Sequence, residues 1–237
     1  MENKENKEAA VAVVEKNLPA EVHKKGYITQ ILESTMTNFL AVNEGLELDY
    51  VRMGDWVKIN RKGNFVLSSD ETVSFGDSID VVIGKGEQRY MVWGADKSPE
   101  KGELIVAERN REDAEAALTA WLDQNPEAKE RYNLDNVKLR YLAYIVFAED
   151  INAEDVPPIY LISYAPGDSY GWGTFTRNVF NGHYKTTHKI PKGSGANTVI
   201  TRLISEVRDV KGSTDSYVGI KFEPVGLFIP AEFGIQE

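Results

Sequence analysis

The sequence predicts a mainly β fold with one or two helices, of the α+β class. Three observations carry that expectation. Between Gly54 and Trp93, β-branched and aromatic runs recur at roughly ten-residue spacing, as in small barrels or sandwiches. Arg111 to Tyr132 is the clearest helix candidate, with its apolar residues on one helical face. From Val137 onward, runs rich in Val, Ile, Tyr and Phe return.

In chain order, residues 1–25 are rich in Glu, Lys, Asn and Ala and read as a flexible or helical segment. Tyr27 to Leu32 is β-prone. Trp56 to Asn60 alternates apolar and polar, Arg61-Lys62-Gly63-Asn64 is a turn, and Phe65 to Leu67 resumes the strand. Ser78 to Gly84 and Gln88 to Trp93 read as two strands joined by a turn at Lys85-Gly86-Glu87. Residues 98–110 read as an acidic connection. In the helix that follows, Ala114, Ala117, Leu118, Trp121 and Leu122 share a face, Asn110 is the N-cap and Pro126 ends or breaks it.

Val137 to Phe147 and Ile159 to Tyr164 are strands, separated by a polar loop ending in Pro157-Pro158. Residues 165–197, rich in Gly, Tyr, Thr and Lys, read as loop. Thr198 to Val210 fits a helical stripe through Val199, Ile200, Leu203, Ile204 and Val207. Its β-branched content and the turn at 211–215 favour a hairpin with Tyr217 to Phe222. Pro224, Gly226 and Pro230 make the end a loop or short edge strand. The predicted organisation is one domain over 26–230, with a tail at 231–237.

The chain has 237 residues, a formal net charge of −10 and no Cys. The missing Cys removes disulfides, Cys-ligated zinc and a thiol nucleophile. The start lacks a basic n-region and a long apolar core, and no segment approaches the roughly 20 apolar residues of a membrane span. The expectation is a soluble protein of the cytoplasm, the host's if the chain is phage-encoded.

An acidic total argues against nucleic acid, but the charge is uneven. Residues 99–156 carry 7 basic and 14 acidic side chains, whereas 157–211 carry 7 basic and 3 acidic. The basic segment also holds seven aromatics: Tyr160, Tyr164, Tyr170, Trp172, Phe175, Phe180 and Tyr184. Cations meet phosphates and flat rings meet bases, so this pattern suits a single strand.

Catalytic patterns are sparse. His183 and His188 lie five apart with Lys185 between them and match no zinc spacing. Gly193-Ser194-Gly195 is not a nucleophile elbow, and there is no P-loop. Gly167 to Gly173 is Gly-rich without a Rossmann context and reads as a surface turn. Asp77 and Asp80, three apart on a strand, face opposite sides and make a poor metal site. The expectation is a protein that is not an enzyme and needs no cofactor or metal.

Two stretches hold the binding candidates. In the first, Lys58, Arg61, Lys62 and Phe65 precede Arg89, Tyr90 and Trp93, which could share a face of an antiparallel sheet. The competing reading keeps Phe65 and Trp93 in the core. In the second, Tyr164 to Lys192 has many aromatics but only Val179 and Ile190 among Leu, Ile and Val. It reads as a poor core-builder with rings exposed to a partner, or as a loop packed by its own aromatics. The stacking candidates are Trp93, Tyr170, Trp172, Phe175 and Tyr184. The phosphate candidates are Lys58, Arg61, Lys62, Arg89, Arg177, Lys185, Lys189 and Lys192.

Val57 to Leu67, Ile79 to Ile83, Arg89 to Trp93, Val199 to Leu203 and Tyr217 to Gly226 together resemble bacteriophage single-stranded-DNA-binding or recombination-associated proteins. The resemblance covers residues 50–230 loosely and rests on residue-type patterns. It implies an OB-fold-like β-barrel with an inserted helix that coats single-stranded DNA in replication or recombination. It also implies phage replication or recombination proteins as partners, and a homo-oligomer is compatible with it. Such proteins often end in an acidic tail that recruits partners, whereas Phe228 to Glu237 has two acids among apolar residues. The rival expectation is a phage structural or host-interaction protein with an acidic, DNA-mimicking surface.

Overall fold

The computed structural model describes residues 26–46, 54–95, 97–152, 156–209 and 216–234. The expected N-terminal segment 1–25, the turn at 211–215 and the last three tail residues lie outside them.

Nine strands form one sheet: β1 (Asp55–Ile59), β2 (Phe65–Leu67), β3 (Ser74–Gly76), β4 (Ser78–Trp93), β5 (Leu104–Glu108), β6 (Lys138–Phe147), β7 (Tyr160–Tyr164), β8 (Val199–Asp209) and β9 (Ser216–Leu227). The order is β3-β2-β1-β7-β6-β4-β8-β9, with β5 added along β4. β1 and β7 are parallel, and every other pair is antiparallel. The helices are α1 (Tyr27–Val42), α2 (Arg111–Gln124), α3 (Pro166–Asn181) and the single turn α4 (Lys185–His188). The expected α+β class, mainly β with few helices, is therefore present. The strand path has two ends, at β3 and β9, and no pairing among the described residues joins them.

β4 organises the sheet. Two strands were expected between Ser78 and Trp93, but they form one strand of 16 residues. Lys85-Gly86-Glu87 is not a turn. The register instead shifts between Ile83 and Lys85, opposite β6. An extra residue in a strand reverses the in-and-out alternation beyond it. Val82 before the bulge and Met91 after it consequently share one core, with Leu142, Tyr144 and Val146 of β6. The first part of β4 also pairs β8, and its last part pairs β5. β5 lies inside the stretch expected to be an acidic connection. Its apolar run Leu104 to Ala107 is short and flanked by charge, which hid it.

The sheet is covered on both faces. Tyr27 to Leu32, expected as a strand, begins α1. Residue type favoured β there, but Ile28 and Leu32, four apart, make one buried helical stripe. They pack where Gly84 leaves β4 bare, since a Cβ there would collide with Leu32. α2 has the expected stripe, with Ala114 and Leu118 buried against β5. Asn110 caps it by accepting from the Asp113 amide at 2.8 Å. The helix stops at Gln124, and Pro126 opens a 3-10 turn. Arg131, just past that turn, donates to Glu100 Oε1 at 2.7 Å, tying the α2 region to the β4–β5 connection. α3 covers the opposite face of the sheet and packs on β6, β7 and β9.

The hairpin reading of 198–210 holds. β8 and β9 pair from Val199↔Leu227 to Asp209↔Ser216. β9 also runs through Pro224 and Gly226, because it is an edge strand and a proline there can leave its missing donor on the outer side. Among the described residues, no helix is long and apolar enough to cross a membrane.

Candidate nucleic-acid interface

The aromatic segment expected to be loop is mostly helix. Pro166 fits the first turn of α3, where its missing N–H is not needed. Gly182 ends it in the left-handed region with φ 77°. There the Gly182 amide donates to the Val179 carbonyl and the His183 amide to the Asn178 carbonyl, both at 3.0 Å. The Gly-rich string Gly167 to Gly173 is thus helical rather than a surface turn. Propensity argues against a helix with three glycines, but tertiary packing of one face outweighs it.

Helical periodicity then sorts the side chains. Asp168, Trp172, Phe175 and Val179 face inward and are buried. Trp172 and Phe175 stack on each other at 5.6 Å and both contact Phe222 of β9, at 5.5 and 6.2 Å. Tyr164 lies 6.2 Å from Trp172. This aromatic cluster is a core, so a segment poor in Leu, Ile and Val does build one. Asp168 fastens the helix: its Oδ1 accepts from the Ile220 amide and from Arg208 Nη1, both at 2.9 Å. Burial pushes its pKa up, partly offset by those two donors.

The other side of α3 is unlike this. Tyr170, Gly173, Arg177 and Phe180 point to solvent. Tyr170 is 79% exposed and Phe180 57% exposed. Single exposed rings are ordinary, but two on one helix face with a cation between them form a patch. After Gly182 the chain stays close. Ile190 is fully buried, and the Gly193 amide donates to the Phe180 carbonyl at 2.8 Å. A Cβ on Gly182 would meet Lys192 at 2.9 Å. These anchors hold Lys185, Lys189 and Lys192, all exposed, beside the C-terminal end of α3.

Arg177 and these three lysines make no ion pair with any described residue. No Asp or Glu occurs between Asp168 and Glu206. Among the described residues, no ion pair neutralises the positive charge of this surface.

Several expected contacts do not survive. Trp172 and Phe175 are 8% and 3% exposed and cannot present a face to a base. Tyr184 is half-buried, with Phe175 at 6.0 Å and His188 at 5.9 Å, and so is partly occupied. Arg89 is buried, paired with Glu87 at 2.9 Å and donating to the Ala107 carbonyl, so it cannot reach a phosphate. Phe65 is core, as the competing reading had it.

Lys58, Arg89 and Trp93 do lie on one sheet face, because the bulge in β4 aligns their alternation. Yet Lys58 is held by Glu71 at 3.0 Å, and Trp93 is half-buried against Trp56. Arg61 and Lys62 are exposed in the β1–β2 turn. The first stretch is thus divided between a turn, a pocket and the core. Of the second, Tyr170 and Arg177, seven apart, share the solvent side of α3, and the exposed Lys185, Lys189 and Lys192 follow its C-terminal end. Phe180, three residues after Arg177 and 57% exposed, joins the solvent side of the helix beside it.

No group of three or more His, Asp or Glu among the described residues could hold a metal ion. Asp80 is engaged by Arg202 in a two-pronged pair at 2.7 and 2.8 Å. No protein-family model, no curated protein and no solved structure matches the chain.

Proposed function

We propose that this protein binds single-stranded DNA, without strong sequence preference and without catalysing a reaction on it. The supporting observation is the solvent face of α3. There Tyr170 and Phe180 offer ring faces on either side of Arg177, and Lys185, Lys189 and Lys192, without an ion pair among the described residues, continue the positive surface. Stacking on a bare ring contributes about 1–3 kcal/mol per base and tolerates any base. The cations release counterions from the phosphates they meet.

The patterns shared with phage single-stranded-DNA-binding proteins point to replication or recombination as the setting. The OB-like barrel they imply is not required, because stacking on α3 needs only a helix fastened to a sheet. The acidic remainder of the chain would repel duplex and neighbouring strands from other faces.

The test is a titration of the full chain with a dT oligomer, the matching duplex and an RNA oligomer at 50 and 200 mM salt. The expected result is single-strand binding that weakens by at least about tenfold across that salt range. No binding of the dT oligomer at low salt, or equal binding of duplex, would overturn the proposal.

A further inference from the structure

A second surface is separate from α3. β7 ends at Tyr164, level with the end of β1, and β6 runs past it. β1 continues beyond the last matched pair, Val57↔Ile162, and β6 begins before the first, Tyr141↔Tyr164. The gap between them opens into a cavity of about 300 Å³, at the low end of ligand-pocket volumes.

Alternation decides what lines this cavity. Trp56 and Lys58 of β1, Ser163 of β7, Arg140 of β6 and Trp93 of β4 all belong to the sheet face that carries α1, and all border it. The face is concave. β1 and β4 are three strands apart in the sheet order, which is about 14 Å in a flat sheet, yet the Trp56 and Trp93 rings meet edge-on at 4.8 Å.

The polar side of the pocket is cationic. Arg140 is half-buried and makes no hydrogen bond or ion pair with any described residue. Burial pulls its pKa down, and Asp168 counters this in part. A guanidinium removed from water without a partner is costly unless something anionic meets it. Lys58 and, from the β4–β5 loop, Lys101 sit at the rim. Both reach Glu71, at 3.0 and 3.6 Å, and Glu71 is not part of the lining. The one carboxylate that lines the pocket, Asp168, is already held by Ile220 and Arg208.

We propose that this pocket binds a nucleoside monophosphate, with its base against Trp56 and Trp93 and its phosphate at Arg140 and Lys58. The chemistry needed is one flat ring and one anionic group at its side. Both a free nucleotide and the phosphorylated end of a strand supply it. The site does not depend on strand binding at α3.

The test is calorimetric titration of the full chain with AMP, adenosine and inorganic phosphate. AMP should bind saturably, and adenosine should bind at least about tenfold more weakly for lack of the anion. Arg140→Gln should weaken AMP binding by about tenfold or more. Because Arg140 is partly buried, Lys101→Glu on the exposed loop serves as the second variant. It should weaken AMP binding several-fold with an unchanged circular dichroism spectrum.

Arg177→Glu/Lys185→Glu/Lys189→Glu should bind AMP as the unaltered chain does, which separates this site from the α3 surface. Tighter binding of a 5′-phosphorylated oligomer than of its unphosphorylated form would assign the pocket to strand ends. Equal binding would assign it to the free nucleotide. Absence of saturable AMP binding, or undiminished AMP affinity in both Arg140→Gln and Lys101→Glu, would overturn the proposal.

Discussion

α2 and α3 are both amphipathic helices laid on the same sheet, but their solvent faces differ in kind. α2 buries Ala114 and Leu118 and shows the solvent Glu112, Asp113 and an Arg111–Glu115 pair at 2.6 Å. That is an ordinary solvated face, rich in carboxylates, with its one cation paired to Glu115. α3 buries Trp172, Phe175 and Val179 and shows the solvent Tyr170, Arg177 and Phe180. Its only carboxylate, Asp168, is turned inward. The buried faces explain why both helices sit where they do. Only the solvent face of α3 has chemistry that folding does not require, and this is why it is assigned to a partner.

The largest effect is expected at the buried faces. Phe175→Ala should lower stability by about 3–5 kcal/mol in chemical denaturation, in the range expected for Leu118→Ala on α2. A loss below about 1 kcal/mol would mean that Phe175 is not core.

The solvent faces come next. Tyr170→Ala should leave stability within about 0.5 kcal/mol. In the same variant, affinity for a dT oligomer should fall about tenfold, the loss of one stacked base. A stability loss without an affinity loss would reverse the assignment of the two faces.

The smallest effect concerns how the α2 region is tied down. Glu100 accepts from Arg131 at 2.7 Å. Burial alone would raise its pKa, but hydrogen bonds from Ser98, its own backbone amide and Arg131 lower it from 4.5 to about 2. A carboxylate with a depressed folded pKa stabilises fully above its unfolded value, and the contribution fades as pH falls through the folded one. Glu100→Gln should therefore be less stable than the unaltered chain at pH 7, with the gap narrowing from pH 4.5 and closing near pH 2. A gap that stays constant over that range would remove the ionic role. Single-strand binding at pH 7 should be untouched by this variant, since α3 is fastened separately through Asp168.

Much of this was legible in the sequence where a local pattern and its tertiary use agree. The α2 stripe, its Asn110 cap, Pro126 and the β8–β9 hairpin are such cases. Legibility failed where packing decided. Tyr27 to Leu32 has strand residue types in a helical arrangement. Lys85-Gly86-Glu87 carries turn residues that a bulge uses to continue a strand. Ring counts also could not divide α3: Tyr170 and Trp172, two apart, differ only in which side of the helix they occupy. Arg140 and Trp56 belong to a pocket formed by the curl of the sheet, which no sequence window contains. The cations were easier, because the absence of acids from 169 to 205 is visible directly in the chain.

Single strands are proposed to bind the solvent face of α3 and the lysines after it. The most direct measurement compares dT-oligomer affinity at 50 mM salt for two charge-reversal variants. Arg177→Glu/Lys185→Glu/Lys189→Glu should lose about 100-fold, and Arg111→Glu/Lys129→Glu around α2 less than about threefold. Equal losses per reversed charge in both, which would reflect net charge alone, or no loss in the α3 variant would overturn the assignment.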